Sequence, residues 1–379
     1  MSRWDTVVFD DVLKIINGRN QRNVENPNGR YPIYGSGGVM SYADDYLCEK
    51  DTVIIGRKGT INSPIYVDKP FWNVDTAFGL RPDERMLFPK YLYYFCERFD
   101  FEALNTTVTI PSLTKANLLK IEMPLPPLSV QQKIADILDR TVALIKKRKA
   151  QVAKLDLLVK SQFIEMFGDP ATNPMGWEQT TVQDLVNRGI LEKPLDGNHG
   201  EKHPKSSDYV EEGVPFVMAN NLIDGVVDFS SCYYIPRSQA EKLDKGFAKC
   251  GDVLITHKGT IGRTAILENC FDYIMLTPQV TYYRIKNNLN NRFLKSYFDS
   301  GYFQDMMAHL ASAGSTRAYI GITAQRELPI LLPPIDLQNQ FATFIHAVEK
   351  SKSEMRQGLD KLELLYKSLI QKCFPNNYR

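Results

Sequence analysis

The 379-residue sequence lacks several features that would assign it to a common class of protein. It has no apolar run near the length of about 20 residues that crosses a bilayer, and its first residues run into a charged amphipathic segment instead of an apolar signal region. Its net charge is only +2, so any basic surface must be a local patch. Its six cysteines show no paired metal spacing, which is typical of free thiols in a reducing compartment and predicts a cytoplasmic protein.

The sequence also lacks the motifs of common catalytic sites. It contains no Walker phosphate loop, no HExxH motif and no Asn-Pro-Pro-aromatic tetrapeptide of the amino-methyltransferase type. The segment Gly35-Ser36-Gly37-Gly38 does not lie between a parallel strand and its helix, so a tight turn explains it better than a phosphate loop. A Ser-His-Asp triad is not excluded, but none of the five histidines is paired with an obvious nucleophile.

The most informative feature that is present is a repeat, in which residues 1–170 recur as residues 174–379. Trp4 and Asp11 match Trp177 and Asp184, and residues 52–61 match 252–261 with six identities in ten. Pro126-Pro127, Gln131, Ala135, Lys160-Ser161 and Phe167 all recur at one constant offset. A duplicated fold has pseudo-two-fold symmetry available to it, and duplex DNA read as two half-sites shares that symmetry.

Each half ends in a segment that predicts a long helix. The first follows Pro126-Pro127, has Ser129 as its expected N-cap with Gln132 in the capping-box position, and runs without proline or glycine to Phe167. The second follows Pro333-Pro334, and each segment of about 40 residues would be about 60 Å long. Apolar residues recur at alternating spacings of four and three, which is a heptad seam. The predicted seam comprises Ile134, Leu138, Ile145, Val152, Leu155, Val159, Phe341, Ile345, Val348, Met355, Leu359, Leu362 and Tyr366.

The two helices have two possible arrangements. They can pack on each other as an antiparallel pair with one module at each end, or each can lie on its own module. The first is favoured, because the helices are longer than modules of this size cover. The first helix also carries Lys146-Lys147-Arg148-Lys149 and Lys154 with no nearby acid, either as a solvated face or as a contact to DNA phosphates.

Each module is predicted to be α+β with many short strands. In the first, residues 52–55 are a buried strand, 56–60 the turn after it and 89–95 a helix. In the second, 214–218 and 252–255 are strands, 292–298 is the equivalent helix, and the polar stretch 188–208 is an exposed loop.

Basic, amide and hydroxyl side chains lie on glycine-flanked turns in both modules. Arginine and lysine bind guanine edges, asparagine binds adenine, and hydroxyls bind phosphates. We therefore predict a DNA-binding surface in each module, although each residue by itself is also explained as a solvated side chain and the shared Lys-Gly-Thr as a structural turn. The predicted contacts are Arg19, Asn20, Arg22, Tyr34, Ser36, Arg57, Lys58, Thr60, Lys202, His203, Lys205, Asn220, Asn221, His257, Lys258, Thr260, Arg263, Ser315, Thr316 and Arg317.

At three places the residues resemble a known family. These are Tyr34-Gly35-Ser36-Gly37-Gly38, the strand followed by Gly-Arg-Lys-Gly-Thr-Ile at 56–61, and Leu125-Pro126-Pro127-Leu128 with Gln131-Gln132-Lys133-Ile134-Ala135 and Leu138. In this order, and duplicated over nearly the whole chain, they resemble the DNA-specificity (S) subunit of type I restriction–modification enzymes. The second half departs from the pattern, since residues 335–340 lack the Ile-Ala pair and Thr256-His257 replaces Gly56-Arg57.

This resemblance implies an α+β fold with two similar target-recognition domains, at 1–127 and 174–334. Two long antiparallel helices, at 128–168 and 335–374, would join them as a pseudo-two-fold symmetric coiled-coil spacer. The chain would recognise a bipartite, asymmetric DNA site without catalysis of its own. Two modification subunits would supply adenosylmethionine and methyl transfer, and restriction subunits would supply ATP and magnesium for cleavage.

Two other classes of function remain open at this point. One is a DNA-modifying enzyme that acts alone, a nuclease or a methyltransferase, which incubation with labelled adenosylmethionine and DNA would reveal. The other is a scaffold that binds only proteins, which a gel shift on DNA with and without partner subunits would distinguish.

Overall fold

The computed structural model of the protein describes residues 4–104, 112–268, 271–312 and 318–375. The chain forms two compact units, one comprising residues 1–151 with 355–379 and the other residues 152–354. We call them unit 1 and unit 2. Each long helix therefore contributes one part to each unit. In the described ranges no helix is long and apolar enough to span a membrane.

In its described residues, unit 1 contains nine short strands, three short α-helices and parts of both long helices. The strands β1–β9 are Thr6–Val8, Leu13–Asn17, Tyr31–Gly35, Gly38–Ala43, Thr52–Gly56, Ile65–Val67, Trp72–Asn73, Ala77–Pro82 and Glu122–Pro124. The helices α1–α3 are Phe9–Val12, Pro89–Arg98 and Lys115–Leu118, and α4 is the long helix Leu128–Phe167. The β-branched strand β5 is buried along its whole length, and Pro89 takes the first position of α2, where its missing amide costs nothing.

The strands of unit 1 form two main sheets. One has the order β2-β8-β5-β6 and is antiparallel throughout. The other has the order β4-β3-β7, in which β3 and β7 run parallel with Ile33 opposite Trp72. The first strand β1 pairs with β9 just before α4, so the beginning of the module is held beside the start of the long helix.

Unit 2 contains the remaining elements. The strands β10–β21 are Glu178–Thr181, Leu195–Asp196, Val214–Val217, Leu222–Ile223, Val226–Val227, Tyr233–Ile235, Phe247–Ala248, Val253–Lys258, Thr260–Ile266, Ile274–Leu276, Val280–Tyr283 and Pro329–Leu332. The helices α5–α9 are Val182–Asn187, Arg237–Ala240, Asn291–Phe298, Gly301–Ser312 and Ile322–Arg326, and α10 is the long helix Ile335–Cys373. The side chains of Thr181 and Asn290 cap α5 and α7 by accepting backbone N–H groups.

The sheets of unit 2 repeat those of unit 1. The order β11-β20-β17-β18 corresponds to β2-β8-β5-β6, and β15-β12-β19-β16 corresponds to β4-β3-β7 with one added strand. The parallel pair recurs as β12 and β19, with Phe216 opposite Met275. Strand β10 pairs with β21 just before α10, as β1 does with β9 before α4. The duplication seen in the sequence is therefore a duplication of topology.

Within each unit the two long helices lie against each other. In unit 1, Ala135 and Leu138 of α4 share a core with Ile370 and Phe374 from the end of α10. In unit 2, Phe163 and Phe167 of α4 share a core with Phe341 and Ile345 from the start of α10. The beginning of each helix thus packs with the end of the other, which makes the pair antiparallel. The predicted seam residues are buried or half-buried, with Ile134, Leu138, Ile145, Met355, Leu359, Leu362 and Tyr366 in unit 1 and Val152, Leu155, Val159, Phe341, Ile345 and Val348 in unit 2.

A buried glutamine fixes the start of each long helix to its module. The Gln131 amide accepts from Phe88 N at 2.7 Å and donates to Pro126 O at 2.8 Å and Met86 O at 2.9 Å. The repeated Gln338 accepts from Asn290 N at 2.9 Å and donates to Pro333 O at 2.8 Å. Both side chains are fully buried.

Three local expectations were wrong. Helix α4 begins at Leu128, and Pro127 O accepts from Val130 N and Gln131 N, so Ser129 lies inside the first turn and is not the N-cap. Residues 188–208 are not an exposed loop throughout, because β11 joins the sheet and buries Asp196 and Asn198. The basic run on α4 does have an acidic neighbour, since Lys149 contacts Glu363 of α10 at 2.8 Å.

Candidate nucleic-acid interface

In unit 1 three segments meet around residues 73–76, which are the end of β7 and the loop that leads to β8. After β2, Arg19 N donates to Asn73 O at 3.0 Å. Near the end of β3, Tyr34 O accepts from Val74 N at 3.0 Å, and just after β5, Arg57 N donates to Thr76 O at 2.8 Å. One loop therefore holds together the ends of three strands that are distant in sequence.

These segments carry all the contacts predicted in the first module. Tyr34 and Ser36 are half-buried on the β3–β4 hairpin, and the others are exposed, namely Arg19, Asn20 and Arg22 after β2 and Arg57, Lys58 and Thr60 after β5. We call this surface the unit 1 edge. The structure brings the predicted residues onto one edge, and their contact with DNA remains a prediction.

Local interactions orient several of these side chains. The Arg57 guanidinium lies over the Phe78 ring, 5.8 Å from its centroid. Tyr34 packs edge-on against Phe71 at 5.5 Å, and burial raises the pKa of its hydroxyl, which therefore stays a neutral hydrogen-bonding group. Arg22 N donates to Asn20 Oδ1 at 2.9 Å, which turns the chain after β2.

Unit 2 repeats this arrangement around the loop 277–279. Gly197 N, after β11, donates to Thr277 O at 3.3 Å. Val217 O, at the end of β12, accepts from Thr277 N at 3.0 Å, and His257 N donates to Gln279 O at 2.9 Å. The equivalent glycines Gly18 and Gly197 are both required, because an added Cβ would lie 1.8 Å from Val74 O and 1.9 Å from Leu276 O respectively.

Most contacts predicted in the second module lie near the ends of these strands. His203 is half-buried, and Lys202, Lys205, Asn220, Lys258, Thr260 and Arg263 are exposed. We call this surface the unit 2 edge. Lys202 bonds to Asp244, so its charge already has a partner, and Lys258 lies over the Tyr319 ring at 5.9 Å.

Two predicted contacts are not on the surface. Asn221 is 1% exposed, accepts from Met218 N at 2.8 Å and donates to Ser231 at 3.2 Å, so it holds a turn. His257 is fully buried, and its Nδ1 donates to Ile320 O at 2.9 Å. Burial lowers the pKa of His257, so the ring is neutral near pH 7. For both residues the expectation of an exposed position was wrong, because the polar side chain completes backbone hydrogen bonds within the module. Ser315, Thr316 and Arg317 lie outside the described residues.

The structure also adds residues that the sequence analysis missed. Asp196, Asn198, His199 and Lys245 lie together at the unit 2 edge, where Asp196 bonds to Lys245 and, at 2.6 Å, to His199 Nε2. Burial opposes ionisation of Asp196, but these two hydrogen bonds outweigh it and hold its pKa below the ordinary value. The sequence does contain a signal for this cluster, since Asp196-Gly197 matches Asn17-Gly18 of the first half, but the predicted loop over residues 188–208 conceals it.

Comparison with known proteins identifies the family. A family model described as "Type I restriction modification DNA specificity domain" matches residues 1–154 and 174–364, once in each half. The chain therefore belongs to the family of type I restriction–modification DNA specificity proteins.

Two relatives match nearly the whole chain. A putative type I restriction enzyme specificity subunit of Haemophilus influenzae is 23% identical, covering 93% of this chain and 89% of its own length. The type I restriction enzyme MjaVIII specificity subunit of Methanocaldococcus jannaschii is 22% identical, covering 99% and 93%. A crystal structure of the S subunit of a type I restriction–modification system from M. genitalium matches with a TM-score of 0.65 at 17% identity, covering 99% of this chain and 96% of that one. This structural likeness supports the two-domain fold with joining helices.

Proposed function

We propose that this chain is the DNA-recognition subunit of a type I restriction–modification complex, which recognises a bipartite, asymmetric DNA site. Each unit would contact one half of the site through its own edge. The observation that carries this proposal is the repeated edge, where the same three strand ends meet in a chain that belongs to the specificity family. The side chains differ between the two edges, so the two half-sites would differ in sequence.

The long helices would act as the spacer between the two recognition domains. Helices α4 and α10 have 40 and 39 residues, about 60 Å each at 1.5 Å per residue. The proposed boundaries are 1–127 and 174–334 for the recognition domains and 128–168 and 335–374 for the spacer. A pseudo-two-fold arrangement of the domains would match the order of half-sites along a duplex.

The helices also offer surface for protein partners. In unit 1, Ile137 and Leu144 of α4 are 50% and 52% exposed, and Leu364 of α10 is 68% exposed. In unit 2, Leu157 of α4 is 62% exposed. Exposed aliphatic side chains on a helix are typical of interaction surfaces. In our proposal two modification subunits bind there and restriction subunits join them.

Catalysis would then belong to the partners. The modification subunits would bind adenosylmethionine and transfer the methyl group, and the restriction subunits would use ATP and magnesium to cleave DNA. The complex would work in the cytoplasm, where its DNA substrate lies. We do not favour a stand-alone nuclease or methyltransferase, because the family match in both halves is to a specificity domain.

Methylome sequencing of a host that expresses the chain with its modification subunits tests this proposal. We expect one new methylated motif made of two short defined parts separated by a fixed gap. Replacing residues 1–125 with the first module of a relative should change one part of the motif and leave the other part and the gap unchanged.

The reciprocal exchange of residues 174–332 is the matched control, and it should change only the other part. A change of both parts by either exchange would contradict the assignment of one half-site to each unit. Absence of any new motif from a complex that assembles would contradict DNA recognition itself.

A further inference from the structure

A cluster of hydrogen-bonded polar side chains lies at the unit 2 edge, with a buried carboxylate at its centre. Asp196 is 1% exposed and binds two side chains that reach the surface. Its Oδ1 bonds to Lys245 Nζ, and its Oδ2 accepts from His199 Nε2 at 2.6 Å. Lys245 and His199 keep 30% and 46% of their side chains exposed. Two unlike groups are thus held side by side by one carboxylate.

The backbone around the cluster is fixed as well. Asn198, two residues after Asp196, is also buried; its Nδ2 donates to Lys245 O at 2.6 Å and its Oδ1 accepts from Asp244 N at 3.1 Å. Asp196 and Asn198 therefore hold both ends of Lys245, its ammonium group and its carbonyl. The long, rotamer-rich lysine has lost freedom that a surface lysine normally keeps.

On its inner side Asp196 has no comparable partner. His257 Nε2 lies 3.9 Å from Asp196 Oδ2, beyond hydrogen-bond distance, and has no hydrogen-bond partner in the described ranges. Thr281, directly opposite Asp196 on β20, also has an unpartnered hydroxyl there. The titratable groups that act electrostatically on His257 are Asp196, His199 and Lys258. The strong bonds of Asp196 therefore all point toward the surface.

At the equivalent position, unit 1 has the same strand pairing but different side chains. Asn17-Gly18 takes the place of Asp196-Gly197, since Asn17 pairs with Phe78 on β8 as Asp196 pairs with Thr281 on β20. The residues that follow Gly18 are Arg19 and Asn20, which are exposed. The carboxylate-centred cluster therefore distinguishes the two edges at equivalent positions.

We propose that Asp196 is a positioning residue for DNA recognition by unit 2, and that it presents Lys245 and His199 together to the major-groove edge of a G·C base pair. This inference rests on the proposed function and names two specificity residues. Lys245 has N–H groups left to donate to guanine O6 and N7. His199 donates its Nε2–H to Asp196, so in the tautomer that carries this one proton Nδ1 is an acceptor, which suits the N4 amino group of cytosine.

The test measures base preference, position by position, in the complex with its modification subunits. Duplexes carry the methylated motif, and each base pair of the half-site assigned to unit 2 is changed in turn. In the Asp196→Asn complex we expect the preference at one G·C position to fall by about tenfold, the discrimination of one paired base contact. Other positions should keep their preference.

Three further comparisons separate positioning from stability. Lys245→Met removes a proposed contact without altering the buried carboxylate, and it should relax the same G·C position. Asp305→Asn makes the same charge change at an exposed acid on α8 that belongs to neither edge, so it should leave every preference unchanged. In a background that carries both His199→Gln and Lys245→Met, Asp196→Asn should add little further loss, because Asp196 is proposed to act only through these two residues.

The base preference of the wild-type complex is measured first. The proposed function requires this preference, and the variants are compared with it. With that reference in place, an Asp196→Asn complex that keeps the full preference overturns the inference and leaves the proposed function standing. The inference also fails if Lys245→Met has no effect on preference, or if the relaxed position is an A·T pair.

Discussion

The buried amide of Gln131 allows a prediction whose magnitude follows from the structure. Replacement by leucine keeps nearly the same volume but removes three hydrogen bonds of 2.7–2.9 Å to backbone atoms of Phe88, Met86 and Pro126. Each buried group left without a partner costs about 1–3 kcal/mol. Leucine recovers part of this through apolar burial, so we expect Gln131→Leu to lower the free energy of unfolding of unit 1 by about 2–4 kcal/mol.

Urea unfolding followed by tryptophan fluorescence measures this loss. A Trp177→Phe background, common to all variants, restricts the signal to Trp4 and Trp72 of unit 1. Gln132→Leu is the matched control, since Gln132 is the exposed neighbour on the same turn and its replacement should change stability by less than about 0.5 kcal/mol.

The repeat supplies a second comparison. Gln338 makes two such hydrogen bonds instead of three, so Gln338→Leu should destabilise unit 2 by less than Gln131→Leu destabilises unit 1. If Gln131→Leu is as stable as Gln132→Leu, the amide is not what fixes the helix to the module, and our explanation of the repeated glutamine is wrong.

Two further predictions concern the edges. Lys58→Ala and Lys258→Ala should each weaken DNA binding and lower the salt slope by about one, with no change in base preference or melting temperature; a lower melting temperature with unchanged binding would show a structural turn. Burial lowers the pKa of His257. Below about pH 6.5 the unfolded chain therefore takes up a proton that the folded chain does not, so the free energy of unfolding decreases as the pH is lowered. His257→Gln should therefore flatten the decline of melting temperature between pH 7 and 5, whereas His309→Gln, at an exposed histidine, should not.

Patterns that are local in the sequence predicted the regular elements well. The heptad seam and the proline pairs predicted α4 and α10, because the helical repeat and the effect of proline on the preceding element both depend on neighbouring residues. The β-branched run at residues 52–55 predicted β5 for the same reason. The N-cap prediction at Ser129 failed, because the start of α4 is fixed by Gln131, whose partners include Phe88, far away in the sequence.

The candidate site was predicted less completely. Residue type placed Arg19, Arg57 and Lys58 on exposed segments, and the structure brings those segments to one edge. Residue type does not show burial, however. His257 occupies the position in the second half that Arg57 occupies in the first, yet its ring is buried and bonded to Ile320 O.

The sequence by itself determined the duplication, the class of fold, the two long helices and the family resemblance. Each follows from the spacing of residues along the chain or from residues that recur at a constant offset. Only the tertiary structure decided which polar side chains share a surface. Asp196 and Lys245 are far apart in the chain, and no local pattern joins them. They meet because β11 enters the sheet beside β20 and Asn198 holds the backbone at Asp244 and Lys245. Contacts of this kind depend on how strands pair across long separations, and pairing is a property of the whole module.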